Sequence, residues 1–267
     1  MTNRRVVEHC LGRRLRAGLT TAALAGAVVL VAAATATAAP AVTSTATAAR
    51  PLSGKVIGVD PGHNGGNFTH AAEIDKKIWN GREWEACNTT GTATNGGYTE
   101  ALFNFKVATD LRADLIADGA KVVMTRTTNT GVGPCVNKRA AIISGAHANV
   151  GIAIHADGAP ASGRGFALLV PVADGPNDKV IGSSLAFAKD VRSAMRADTP
   201  MPISTYDGVD AIQPRDDLAG LNLVTVPMIF IEVGNMRNAT DARLLTSPAF
   251  QREVARALTA AIVKFVR

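Results

Sequence analysis

Four short pieces of the chain carry residue types suited to metal-assisted hydrolysis: Asp60-Pro61-Gly62-His63, Thr99-Glu100, Ile154-His155-Ala156-Asp157 and Ile231-Glu232-Val233-Gly234. They are scattered through the sequence, yet His63, His155 and Glu232 each follow a short apolar run that reads as a buried strand. Open α/β sheets build their sites beyond the carboxyl ends of such strands. Two imidazoles and a carboxylate are the ligand set of a catalytic zinc that keeps one position for water, and a further carboxylate can carry protons. The pattern predicts a zinc hydrolase.

Each residue also has a plainer reading. A lone histidine after a strand is commonly a satisfied loop residue, and a glutamate that opens a helix answers the macrodipole. His63 and Glu100 become ligand candidates through the company of His155, which ends the run from Val150. Glu232 follows the apolar run Val226 to Ile231, where a carboxylate is costly without a partner, so it is either paired structurally or moves protons. His70, in a Gly/Asn/Thr-rich stretch, and His147, at a helix end, read as exposed. Rival chemistries lack their residues. There is no Gly-x-Ser-x-Gly elbow, Gly62 to Gly66 lacks the Lys-Ser/Thr of a phosphate loop, and a cysteine nucleophile would have to be unpaired.

The elements that must position these groups follow from periodicity. Strands are expected at 55–60, 121–125, 150–155, 165–171 and 228–232, and helices at 98–117, 136–146, 178–196 and 248–266. The first helix shows Leu102, Phe105, Ala108, Leu111, Leu115 and Ile116 at helical spacing. Such alternation predicts a single α/β domain with a mixed, mostly parallel sheet covered by helices on both faces. Residues 64–97 break the alternation. A long insertion without a period of its own is usually functional or stapled, so a tied-down hairpin or flap beside the site is expected there.

Before the domain lie two other segments. Arg4, Arg5, Arg13, Arg14 and Arg16, the apolar run Ala17 to Ala34 and then Ala36-Thr37-Ala38 read as a signal peptide over 1–38. An uncleaved anchor is the alternative, because the run nearly suffices to span a bilayer. Residues 39–53, rich in Ala, Thr and Pro, read as a flexible tether, and 54–267 as the catalytic domain. Five of the 28 basic and one of the 22 acidic residues fall in the signal, which leaves 23 and 21 and a formal charge of +2 in place of +6. That balance argues against a nucleic-acid partner. Cys10 leaves with the signal. Cys87 and Cys135, in an oxidising compartment, are expected to bridge and close a loop of about 50 residues worth on the order of 4 kcal/mol.

In their order these motifs resemble those of the zinc-dependent N-acetylmuramoyl-L-alanine amidases, bacterial cell-wall hydrolases. The resemblance runs from Gly54 to Arg267 and takes in Glu232-Val233-Gly234-x-Met236-x-Asn238 as well as the connecting residues Thr125-Arg126, Arg139 and Ala148-Asn149. It is nearest to mycobacterial and actinobacterial members without a wall-binding domain. It implies a sheet of about six strands and one Zn2+ held by His63, Glu100 and His155, with Glu232 as the catalytic residue. The substrate would be peptidoglycan or a muropeptide, cut between N-acetylmuramic acid and L-alanine. The protein would be an exported monomer of the periplasm, cell envelope or medium, with no stable membrane insertion once the signal is cleaved. Asn64 stands where a glycine is usual, and the Cys87-bearing insertion replaces a shorter connection. Asp60 and Asp157 are candidates for orienting imidazoles or for turn capping, while Arg126, Arg164 and Arg215, which could meet substrate carboxylates, read more simply as surface groups and are left out of the site. Two other functions remain open: an endopeptidase or carboxypeptidase acting within the stem peptide, and a non-catalytic wall-binding or regulatory module.

Overall fold

In the computed structural model, which describes residues 50–267, the apolar runs that precede His63, His155 and Glu232 are adjacent strands of one sheet. The proposed signal and residues 39–49 of the tether lie outside the described residues. The elements are β1 (Val56–Pro61), α1 (Ala71–Ile74), β2 (Lys77–Trp79), β3 (Trp84–Ala86), α2 (Glu100–Ala117), β4 (Lys121–Met124), α3 (Val136–Gly145), β5 (Val150–Asp157), β6 (Ala167–Pro171), α4 (Ile181–Asp198), β7 (Ile212–Arg215), α5 (Ala219–Asn222), β8 (Met228–Asn235), α6 (Ala239–Leu245) and α7 (Pro248–Val266).

The sheet has the order β4-β1-β5-β8-β6-β7. The first four strands are parallel; β6 runs antiparallel to β8 and carries β7 parallel to itself. It is therefore mixed and mostly parallel, as expected. Side-chain alternation divides the interior into two cores. On one face, Ile57, Val59, Ile152, Ile154, Ile229 and Ile231 meet α2, α4 and α7 through residues such as Phe103, Phe187 and Leu258. On the other, Ala153, Met228 and Phe230 pack against Ala140 and Ile143 of α3 and Leu221 of α5. Both β5 and β8 continue past the expected ends, so His155 and Glu232 stand within strands, directly opposite each other in register. The register slips between His155 and Asp157, an irregularity of the kind that re-aims side chains near sites.

Some expectations shift. The buried face of α2 is centred on Phe103, Val107, Leu111 and Leu115; Leu102 and Phe105 are only half-buried and Ile116 is exposed. Its apolar residues surround much of the helix, and the positions of the sheet and α7 choose the side. β7 was not readable, since Pro214 argues against a strand except at an edge, which is where it lies. Residues 50–53 are docked: Leu52 is fully buried among α2 and α7 residues, and its amide donates to the Asp118 carbonyl at 2.9 Å.

The 64–97 insertion holds α1 and the antiparallel hairpin β2–β3. A Cys87–Cys135 disulfide fastens its base. Its tip is fastened by Asn80, which donates to the Asp217 carbonyl at 3.3 Å, and by Arg82, which donates to the Ala173 carbonyl at 2.8 Å and pairs with Asp174 at 3.2 Å.

Two buried arginines hold the turn after β1. Arg139 of α3 donates from Nη1 to Asp60 Oδ1 at 2.7 Å and to the Pro61 carbonyl at 2.8 Å, and from Nη2 to the His63 carbonyl at 2.8 Å. Arg126 donates to the Pro61 carbonyl at 2.7 Å, the Gly62 carbonyl at 3.1 Å and the Ala101 carbonyl of α2 at 2.8 Å. Arg126 is thus an interior clamp and not a surface group, because only a guanidinium offers five donors in a planar fork to several inward-facing carbonyls. Asp60 also accepts from the Thr125 hydroxyl. Its partners are Arg139 and Thr125, so the imidazole-orienting role considered for it does not hold. Burial raises the Asp60 pKa, but Arg139 and the Thr125 hydrogen bond outweigh this and leave the carboxyl below its ordinary value.

Leu52→Ala is expected to cost about 2–4 kcal/mol in urea unfolding, the penalty of emptying a closed core position; a change under about 0.5 kcal/mol would return this residue to the tether. Asp60→Asn strands the Arg139 charge in the interior and is expected to cost about 3–5 kcal/mol. Because the folded pKa of Asp60 is depressed, its contribution is complete above the unfolded value of about 3.9 and fades as pH falls toward the folded value. Urea midpoints of the wild type should therefore fall more steeply below about pH 4 than those of Asp60→Asn. Parallel acid profiles would refute the assignment.

Candidate metal centre

Three elements deliver one donor each. His63 leaves the clamped turn with φ of 57°, a left-handed conformation that L-residues seldom adopt. What Gly62 supplies is room: a Cβ there would lie 2.1 Å from His155 Cε1 and 2.3 Å from Nε2. Glu100 opens α2, and His155 projects from β5.

Glu100 Oε1 lies 3.1 Å from His63 Nε2 and 2.9 Å from His155 Nδ1, and the three donor atoms all fall within 4.8 Å of one another. A tetrahedral zinc with bonds of about 2.0–2.1 Å sets neighbouring donors about 3.3 Å apart, so this N/N/O set could hold such an ion. Among the described residues no other trio of His, Cys, Asp or Glu side chains converges in this way.

The surrounding groups fix how each donor is presented. His63 Nδ1 lies 3.1 Å from the Thr89 carbonyl. A carbonyl only accepts, so Nδ1 donates to it and Nε2 is left to face Glu100, donating to the carboxylate here and free to hold an ion in place of that proton. Glu100 Oε2 accepts from the Thr92 amide at 2.9 Å, while Oε1 accepts from Asn104 Nδ2 and the Ala156 amide, both at 3.3 Å. The His155 ring stacks on Phe230, with centroids 5.2 Å apart and planes 9° from parallel. A Cβ on Gly91 would come within 2.7 Å of both Glu100 Oε2 and His63 Cδ2, so only glycine fits against the pair.

Two carboxylates here have opposite electrostatics. Burial disfavours the Glu100 anion, yet the His63 charge and the hydrogen bonds from both imidazoles prevail and hold its pKa well below the usual range. Burial likewise opposes protonation of His63, but the adjacent Glu100 charge wins and raises it. Glu232 is the reverse. Burial first, then the negative charges of Glu100, Asp157 and Asp207, push it well above the usual range against the pull of Arg215. Its Oε2 is buried with no hydrogen-bond partner. Glu232 lines a cavity of about 330 Å³ together with His63, Glu100, His155, Phe230 and Arg215.

All four expected site residues therefore share one cavity. The rival histidines do not: His70 and His147 are exposed. Asp157 accepts from the Gly158 amide at 2.6 Å, a turn role. Arg164 pairs with the buried Asp241 at 3.1 Å. Arg215, read as a surface group, is a cavity residue whose Nε and Nη2 fork onto Asp217 at 2.7 and 2.6 Å. No local signal marks it, since it ends a strand that periodicity does not reveal. Thr89 was missed because it acts through a contact 26 residues away, whereas Asn104, one helical turn after Glu100, had a spacing that could have found it.

Residues 57–264 match the family described as N-acetylmuramoyl-L-alanine amidase. An N-acetylmuramoyl-L-alanine amidase of Mycobacterium tuberculosis is 38% identical over 216 residues, covering 80% of this chain and 88% of the relative. The crystal structure of the N-acetylmuramyl-L-alanine amidase of Mycobacterium smegmatis superposes with a TM-score of 0.75 at 36% identity, over 80% of this chain and 98% of that one. The corresponding enzyme of Mycobacterium abscessus gives 0.76 at 37% identity, over 81% and 100%. With a matched family over most of its length and such relatives, the chain belongs to the N-acetylmuramoyl-L-alanine amidase family.

Proposed function

We propose that one zinc ion, held by His63, Glu100 and His155, serves this N-acetylmuramoyl-L-alanine amidase in hydrolysing the amide between N-acetylmuramic acid and L-alanine of peptidoglycan or its fragments, with Glu232 as proton carrier. The observation that carries the reading is the convergence of the three donors in the cavity that also holds the unpartnered Glu232 carboxylate oxygen. The donor chemistry and spacing suit zinc, which when bound supplies a Lewis acid and acidifies water toward a pKa of about 7.

The chain's own residues account for the rest. The Thr89 carbonyl keeps His63 in the tautomer that presents Nε2, and Phe230 holds the His155 ring by stacking. The amide donors on Glu100 keep both its oxygens placed without a proton. Glu232, whose burial and acidic neighbours raise its proton affinity, takes a proton from the water attacking the amide carbon. It then gives that proton to the departing L-alanine nitrogen, which leaves poorly as an anion. Residues 1–38 fit an export signal, which would deliver the enzyme to the cell envelope or beyond, and no helix of the described residues is long and apolar enough to cross a membrane.

Glu232→Gln is expected to retain zinc while kcat falls about 10²–10⁴-fold, as for loss of a general acid–base group. His63→Ala and His155→Ala are expected to lose the metal by elemental analysis. Near-normal turnover in the first case, or full zinc content in the others, overturns the corresponding role. Product analysis tests the bond: a free L-alanine amino terminus identifies the amidase, whereas new termini within the stem peptide identify a peptidase.

A further inference from the structure

The chain has only two tryptophans, and they face each other across the hairpin. Trp79 and Trp84 are direct cross-strand partners, 45% and 65% exposed, with rings meeting edge to face at a centroid distance of 5.8 Å. Neither belongs to the two cores. A cross-strand aromatic pair does steady a hairpin, but this one is already fastened by the Cys87–Cys135 bond at its base and by Asn80 and Arg82 at its tip. Exposed indoles held in place are a mark of an interaction surface.

We propose that Trp79 and Trp84 form a stacking platform for the sugar rings of the peptidoglycan glycan strand. The proposal rests on the amidase reading and extends it to polymer recognition. Position is the first support. Glu85 and Ala86, which follow Trp84 on β3, line a cavity of about 140 Å³ with His63 and His155, so the hairpin that carries the pair also walls the cleft. Reaction chemistry is the second. The scissile amide joins the peptide to a sugar, so any polymer whose bond reaches the metal centre brings neighbouring sugars over the rim of the cleft. Surface chemistry is the third. N-acetylhexosamine rings expose a face of C–H bonds that stacks on an indole, while their hydroxyl and acetamido groups stay in water. Such uncharged rings match a neutral glycan.

The test uses the zinc-loaded enzyme and exploits the absence of any other tryptophan. Titration with a β-1,4-linked N-acetylglucosamine tetramer, which has no stem peptide, is expected to give a saturable change in tryptophan emission. The Trp79→Ala/Trp84→Ala variant is expected to bind insoluble peptidoglycan about tenfold more weakly, the scale of losing aromatic contacts, while its turnover of muramyl dipeptide stays at the wild-type value. Trp79→Phe/Trp84→Phe should keep most of the binding. Unchanged sacculus binding by the alanine variant, or emission indifferent to the tetramer, overturns the platform and leaves the amidase intact. Emission that changes with protein concentration alone, without glycan, assigns the pair to self-association and also overturns it. If wild-type enzyme cleaves neither muramyl dipeptide nor sacculi, the amidase reading fails and takes the platform with it. If muramyl dipeptide turnover falls along with binding in both variants, the rings only support the hairpin and the proposal is overturned.

Discussion

Where β1 ends, the chain must turn sharply while its carbonyls still point into the protein, and the Asp60–Arg139 ion pair makes this possible. Arg139 and Asp60 are 2% and 5% exposed, and each would be a costly interior charge without the other. Once paired, Arg139 has donors left for the Pro61 and His63 carbonyls, and Arg126 covers Pro61 and Gly62. Inward carbonyls without such partners would each forfeit a hydrogen bond. Arg126 also reaches the Ala101 carbonyl and so ties this turn to the helix that begins with Glu100. The spacing of His63 from Glu100 thus descends from two buried guanidinium groups.

Around that clamp, environment separates the duties of chemically similar groups. Glu100, buried, and Glu232, half-buried, share a cavity with the same histidines, yet one is pressed toward the anion and the other toward the acid. The His63 charge and the hydrogen bonds from both imidazoles favour the Glu100 anion against burial, whereas burial and the charges of Glu100, Asp157 and Asp207 oppose that of Glu232. Glu100 accepts from two backbone amides and from Asn104, while one Glu232 oxygen is left without a partner. Pairs of carboxylates pushed apart in this way divide into a fixed charge and a proton carrier. Parallel pairing of β5 with β8 is what sets Glu232 opposite His155.

The insertion between His63 and Glu100 belongs to the same system. Thr89, whose carbonyl fixes the His63 tautomer, lies two residues beyond Cys87, so the disulfide that anchors the hairpin also anchors this contact. At the far end, Asn80 holds the Asp217 carbonyl, and the Asp217 side chain holds Arg215 in the cavity. The hairpin is therefore a brace between the three converging donors and the opposite wall of the cleft.

Read alone, the amino-acid sequence was sufficient to single out four residues that share one cavity, the α/β alternation, the cysteine pair and the boundaries of the long helices to within a few residues. These depend on side-chain chemistry and on periodicity along the chain, both of which are local. It was not sufficient for Leu52, taken for tether, for the side of α2 that is buried, for the edge strand β7 with Arg215 at its end, or for the inward course of Arg126. Each of these depends on partners far away in the chain: a core already assembled by α2 and α7, a sheet edge that tolerates Pro214, and a set of carbonyls in need of donors. An arginine carries the same local signal at a surface as in an interior, and only the closed tertiary structure decides which carbonyls it must satisfy.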